Sequence, residues 1–164
     1  MTVPADTLRK IADTSPFPAG RYGQLGEQGV IQRWEDAGMM PHLVQRSYSE
    51  QQAMALCDDA QFPSRELERS FYRGQDRLYL KADVDRANGS RIADAAIARV
   101  KQDDPEAAQD YRAVLESEGA QGLFQQLGVD ARRASLAQVA AATRTDELAD
   151  PEEVMARQSQ GRRM

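Results

Sequence analysis

The chain has 164 residues, a net charge of −5 and acids and bases interspersed along its length. That length suits one domain, and neither half is basic, so the bulk attraction that non-specific nucleic-acid binding requires is missing. No apolar run reaches the ~18 residues of a membrane span, and a single cysteine, Cys57, leaves no internal disulfide to form.

The opening MTVPADTLRK has no charged-then-apolar pattern, so a secretory signal is not expected. A reducing compartment fits the cysteine count. Val, Ile, Leu and Phe number 29 of 164, below the roughly one-fifth that marks a well-supplied core. Twenty-five alanines account for part of the deficit; alanine favours helix and lets helices approach closely, but each buries little area. A core this thin suits either a small helical domain with frayed termini or a domain completed by a partner or by self-association.

Taken in order, Thr7, Leu8, Ile11 and Ala12 have helical spacing, with Asp6 as the expected cap. TSPFPAGRYGQLG (14–26) reads as a loop. Its Phe17 and Tyr22 are candidate anchors on the body or on a partner. Its glycines have neither the spacing nor the preceding strand of a phosphate-binding fingerprint. Residues 27–37 read as a helix with Val30, Ile31 and Trp34 on one face and Gly38 as its stop. Met39, Met40 and Pro41 read as a loop, and the two methionines join Phe17 and Tyr22 as candidate partner-binding residues. Residues 43–48 suit a short strand. His42 is the only histidine and has no second ligand at metal spacing, so no metal site is expected there.

Ser49 and Gln52 form a capping-box pair ahead of a helix whose face is Ala53, Leu56, Cys57 and Ala60. Asp58 and Asp59 beside Cys57 oppose the electropositive setting a reactive thiolate needs. Ser64 is expected to cap a helix running through Leu67, Phe71 and Tyr72 to Gly74. Residues 77–84 alternate like a strand but also fit a helix. With no evident partner strand, helix is the expectation.

The best-specified stretch is 90–119. Ser90 and Asp94 make an S-x-x-D start, and Ile92, Ala96, Ile97 and Val100 recur at helical spacing. Asp104-Pro105 opens a second helix with face residues Ala107, Ala108, Tyr111, Val114 and Leu115, ended by Gly119. The short connection predicts an antiparallel αα-hairpin. A short helix or turn at 120–128 follows. Then comes a helix with Asp130 or Ser135 as cap and Leu136, Val139, Ala140 and Thr143 on one face. Asp150-Pro151-Glu152-Glu153 repeats the D-P-E start.

Three patterns carry possible chemistry. In DVDRANGSRIAD (83–94), Asp83, Asp85 and Asp94 fall at positions one, three and twelve of a calcium loop. Asn88-Gly89 comes one residue late, and a turn before a capped helix explains it better. FYRG (71–74) with ESE (116–118) resembles mono-ADP-ribosyltransferases, in which the arginine supports the dinucleotide and the last glutamate is catalytic. The resemblance implies those roles for Arg73 and Glu118. It covers seven residues, lacks the Ser-Thr-Ser stretch between them, and puts the glutamates at a helix end. SLAQVAAATRTDELADPEEVMARQ resembles a helix–turn–helix, with Arg132, Arg133 and Arg144 near it. The turn glycine is missing, and acids open the second helix, where DNA phosphates would lie.

The expected fold is therefore mainly α: an irregular bundle of six to eight short helices around the 90–119 hairpin, with at most a minor β element. The expected organisation is an N-terminal helix and Pro/Gly loop (1–26), a helical domain (27–149) and a short C-terminal helix and tail (150–164). The expected function is a non-enzymatic interaction or assembly protein, with no catalytic, cofactor or metal residues assigned. Alanine and arginine usage suggests a bacterial or phage accessory protein, cytoplasmic or virion-associated. The alternatives are a small enzyme of the ADP-ribosyltransferase kind and a nucleic-acid adaptor acting through 130–164.

Overall fold

The computed structural model describes residues 2–17 and 21–147. The protein is mainly α with one two-stranded antiparallel sheet. The elements are α1 (Ala5–Ala12), α2 (Arg21–Asp36), α3 (Met40–Leu43), α4 (Glu50–Ala55), α5 (Pro63–Ser70), β1 (Phe71–Arg73), β2 (Leu78–Leu80), α6 (Lys81–Ser90), α7 (Ile92–Asp103) and α8 (Pro105–Glu147).

The centre is α7. Ile92, Ala93, Ala95, Ala96, Ile97 and Val100 are all buried, so more than one of its faces is covered. The alanines supply no bulk, which lets α1, α3, α6 and α8 all reach it. Asp104 ends α7, and its Oδ1 accepts from the Glu106 and Ala107 amides at 3.1 Å, capping α8 with Pro105 in the first turn. Arg112 Nη1 lies 3.6 Å from Asp94 Oδ1 across the pair, at nearly equal distances in sequence from the Asp104 turn. The expected antiparallel hairpin is formed. Its start differs: Ser90 ends α6, and Arg91 precedes α7 with no side-chain cap. The helical run of 81–90 is close enough to α7 for a single residue to join them, so no separate cap is built.

Gly119 turns the chain (φ 82°, ψ −178°) and divides α8 into a segment 105–118 and an arm 120–147. The arm is one continuous helix through Gly128, so the expected break between a 120–128 turn and a separate later helix is corrected. Leu123, Phe124, Leu127 and Ala131 continue one buried face across that glycine. The expected bundle of short helices thus has one long member.

The N-terminal segment packs into the main core through Val3, Leu8 and Ile11. Pro4, not Asp6, precedes α1, with no side-chain cap. Two α2 side chains secure its far end: Arg33 Nη1 donates to Asp13 O at 2.9 Å and Trp34 Nε1 to Thr14 O at 3.4 Å. Trp34, 1% exposed, Val30 and Ile31 are the buried face of α2. The stretch expected as a loop to residue 26 already contains the first turns of α2, broken at Gly26.

Residues 71–80 hold the main correction to the expected elements. Instead of continuing α5, Phe71–Arg73 pair with Leu78–Leu80 in a hairpin, with Tyr72 opposite Tyr79. The Gly74 amide donates to Arg77 O at 2.8 Å to close the turn. The missing partner strand lay five residues upstream. Alternation divides the hairpin: Tyr72 and Tyr79 enter the main core, while Phe71 and Leu78 join Ala53 and Leu67 in a smaller cluster. Ser64 is the second residue of α5 and not its cap. The 43–48 strand reduces to one bridge, Tyr48 to Leu78. The Ser49–Gln52 capping box forms in both directions at 3.1 Å. Leu56, expected on the buried face of that helix, is 56% exposed because α4 ends at Ala55.

Candidate interaction surface

The arm of α8 is covered on one side by α1. Ala12 to Phe17 border arm residues 121–132, and Thr2 and Val3 border Ala134 and Ala137. The two helices therefore run antiparallel, and α1 reaches only as far as residue 137 of the arm. From there to Glu147 the helix continues for ~15 Å at 1.5 Å per residue.

The first turns of this projecting part carry no charge. Residues 134–143 (ASLAQVAAAT) contain no acid and no base, and 135–143 are all exposed. Leu136 is 70% exposed and Val139 64%. At 100° per residue, Gly128, Arg132, Ser135, Leu136, Val139 and Thr143 fall on one stripe. Beside that stripe runs a groove between α1 and the arm, formed by two adjoining cavities of about 660 and 650 Å³ that share Ala12, Asp13, Gly128 and Arg132. Arg9, Asp13 and Arg132 are its charged groups. Arg9 also lies 3.5 Å from Asp6. On the other side of α1 a smaller cavity of about 290 Å³ contains Tyr111 and Asp130. There Tyr111 Oη donates to Asp130 Oδ2 at 2.6 Å, and Gln126 Nε2 donates to Asp130 Oδ1 at 2.9 Å. This pair ties the arm to the first half of α8. Burial, chiefly, and the adjacent Asp130 carboxylate hold the Tyr111 phenol well above its ordinary pKa.

Phe17, a candidate from the sequence, lines the groove, with its ring 6.5 Å from that of Phe124. Met39 and Met40 lie inside the core, with Met39 fully buried. Met40 opens α3, which replaces the expected loop. Tyr22 lies in the first turn of α2, where its side chain is outside the described residues. Leu136 and Val139 were legible as one helix face; their lack of cover was not.

The other patterns do not assemble. Asp83, Asp85, Asn88 and Gly89 are all within α6 and Asp94 is in α7, so 83–94 is neither an ion loop nor the expected turn. Asp83 lies 3.4 Å from Arg86, and Asp85 accepts from Tyr72 Oη at 2.7 Å. Among the described residues no group of three or more His, Cys, Asp and Glu converges as a metal site. Arg73, on β1, lies 3.8 Å from Glu50, while Glu116 and Glu118 are exposed on α8. Cys57 Sγ donates to Ala53 O, and burial, Glu66 and Asp58 raise its pKa, the reverse of an activated thiolate. His42 Nε2 is 2.8 Å from Gln102 Nε2. Residues 135–147 continue one helix, so a helix–turn–helix finds no turn there; its second helix and the 150–164 segment fall outside the described residues. Among the described residues no helix is long and apolar enough to cross a membrane.

Comparison of the chain with protein-family models, with curated proteins and with solved structures finds no match.

Proposed function

We propose that this chain is a non-enzymatic helical interaction or assembly protein that presents the projecting arm of α8, and the groove beside it, to another helix. The observation that carries the reading is the uncharged stretch 134–143, exposed from Ser135 on, with Leu136 and Val139 uncovered. Covering each of those side chains would remove apolar area from water, the main driving force of association. A helix that presents apolar groups at three- and four-residue spacing is a known mode of recognition of one helix by another. The alanines around them permit close approach. Alanine and arginine usage supports a bacterial or phage accessory role, in the cytoplasm or on a virion.

Photo-crosslinking in cells tests this. A photoreactive amino acid at position 140, on the arm, is expected to yield discrete protein adducts. The same amino acid at the exposed position 109, on the first half of α8, is expected to yield few. Absence of adducts at 140, or equal adducts at both positions, overturns the proposal.

A further inference from the structure

We infer that the cavity between residues 46–48 and α4 is a binding site for a carboxylate carried on an apolar group. The inference does not depend on the arm of α8, which contributes no residue to this cavity.

The cavity, of about 410 Å³, is lined by Arg46, Ser47, Tyr48, Gln52, Ala55 and Leu56. Tyr48 is fixed through both backbone and ring. Its backbone exchanges two hydrogen bonds with Leu78, at 2.9 and 2.8 Å, and its ring meets that of Phe71 edge-on, with centroids 5.5 Å apart. The capping box fixes Gln52 on α4. The walls are therefore set before a ligand arrives, which lowers the ordering cost of binding.

The hydrogen bonds already made leave donors for a ligand. Ser47 Oγ accepts from Arg77 Nη1 at 2.8 Å, so its own proton is left to give. Gln52 Oε1 accepts from the Ser49 amide at 3.1 Å, so the Nε2 protons are left. Arg46 has only donors. Among the described residues no carboxylate pairs with Arg46: Glu50, the acid nearest to it in sequence, lies 3.8 Å from Arg73 instead. No acid lines the cavity, although the chain as a whole carries a charge of −5.

Donors without free acceptors complement an oxygen-rich anion. The single lining cation balances one negative charge, which a carboxylate carries and a phosphate monoester, at about −1.5 to −2, exceeds. The planar guanidinium also matches a carboxylate in two parallel hydrogen bonds. Arg46 Cζ lies 6.0 Å from the centroid of the Tyr48 ring, so charge and apolar surface adjoin. Ala55 and Leu56, the latter 56% exposed, extend that surface. A ligand places its carboxylate on Arg46 and its apolar group against Tyr48 and Leu56.

Amide NMR of the full chain, titrated with phenylacetate, tests this. Saturable shifts are expected at Arg46, Ser47, Tyr48, Gln52 and Leu56 and not at Leu136 or Val139. Uncharged phenylacetamide is expected to bind about tenfold more weakly, and the Arg46→Gln protein to bind phenylacetate about tenfold more weakly. Gln52→Glu keeps a capping-box residue at its position, so α4 and the rest of the spectrum are expected to persist. Binding is still expected to fall by about tenfold, because a carboxylate replaces the donor. An N-acetylated tripeptide ending in a free phenylalanine carboxyl separates the two sources of such a group. Tighter binding than phenylacetate supports a site for a peptide C-terminus, and equal binding supports a site for a free acid.

No saturable shift at these residues overturns the inference, as does equal binding of the amide or binding unchanged in both variants. Tighter binding of phenyl phosphate than of phenylacetate overturns the choice of a carboxylate. None of these outcomes alters crosslinking at position 140, so the reading of the arm stands or falls separately.

Discussion

Glu35 is part-buried on α2 against the β hairpin. Its Oε2 accepts from the Gln75 amide at 3.3 Å, which holds the turn of the β hairpin against α2. Its Oε1 is buried and has no hydrogen-bond partner among the described residues. Burial, chiefly, together with Asp36 and Asp76, raises its pKa above the ordinary 4.5, against the lowering effect of the Gln75 bond. The folded state therefore holds this proton more tightly than the unfolded state does. The resulting stabilisation is complete below pH 4.5 and is lost as pH rises through the folded value. Glu35→Gln, neutral at every pH, should raise the urea midpoint at neutral pH and flatten its decline as pH rises above 4.5. Parallel urea melts of the two proteins across that range check it; identical pH profiles would count against the account. Gly74 is the necessary neighbour. A methyl group there would overlap Glu35 Oε1 and approach the Tyr79 ring to 3.0 Å. Gly74→Ala is expected to destabilise by about 1–3 kcal/mol, the usual range for overpacking, read from the same melts.

At the scale of elements, the break at Gly119 decides where the arm goes. Its φ of 82° with ψ near 180° lies in a region that is essentially glycine's alone. Nothing stands within 4 Å of where a Cβ would be. Gly119→Ala therefore adds backbone strain and no clash, with an expected loss of about 1–3 kcal/mol in a denaturant titration. Tyr111 and Asp130 hold the two sides of that break together. Tyr111→Phe leaves the aromatic packing and removes the 2.6 Å bond, so an expected loss of roughly 1.5–3 kcal/mol follows from a hydrogen bond to a charged acceptor. Parallel denaturant titrations of the two proteins check it. Element types were legible wherever a signal is local. The capping pairs Ser49–Gln52 and Asp104–Ala107 and the Val30, Ile31, Trp34 face each depend on residues within four positions of one another. The β hairpin was not, because Phe71-Tyr72-Arg73 fits the end of a helix as well as a strand. Its choice depends on Tyr72 and Tyr79 entering one cluster while Phe71 and Leu78 enter another. Gly128 misled for a similar reason: a glycine in a helix costs about 1 kcal/mol relative to alanine, which a continuous buried face on either side can offset.

For the whole molecule, engagement of the arm links stability to whatever binds it. A partner that binds only the folded chain should raise the thermal midpoint as its concentration rises, and the Leu136→Asp, Val139→Asp protein should lose that rise. Differential scanning calorimetry with and without the crosslinked partner measures both. An apolar contact through Leu136 and Val139 should persist at 1 M salt, where the Debye length is only roughly 3 Å.

The amino-acid order by itself determined the class of the fold, the central αα-hairpin and most helix faces, because caps, turns and periodicity act over a few residues. It also displayed the Leu136, Val139, Ala140, Thr143 face. Only the tertiary structure decided which faces are covered. It placed Met39 and Met40 inside the core, laid α1 along the arm only as far as residue 137, and left Leu136 and Val139 in water. Burial depends on what arrives from far along the chain, and periodicity carries no record of that.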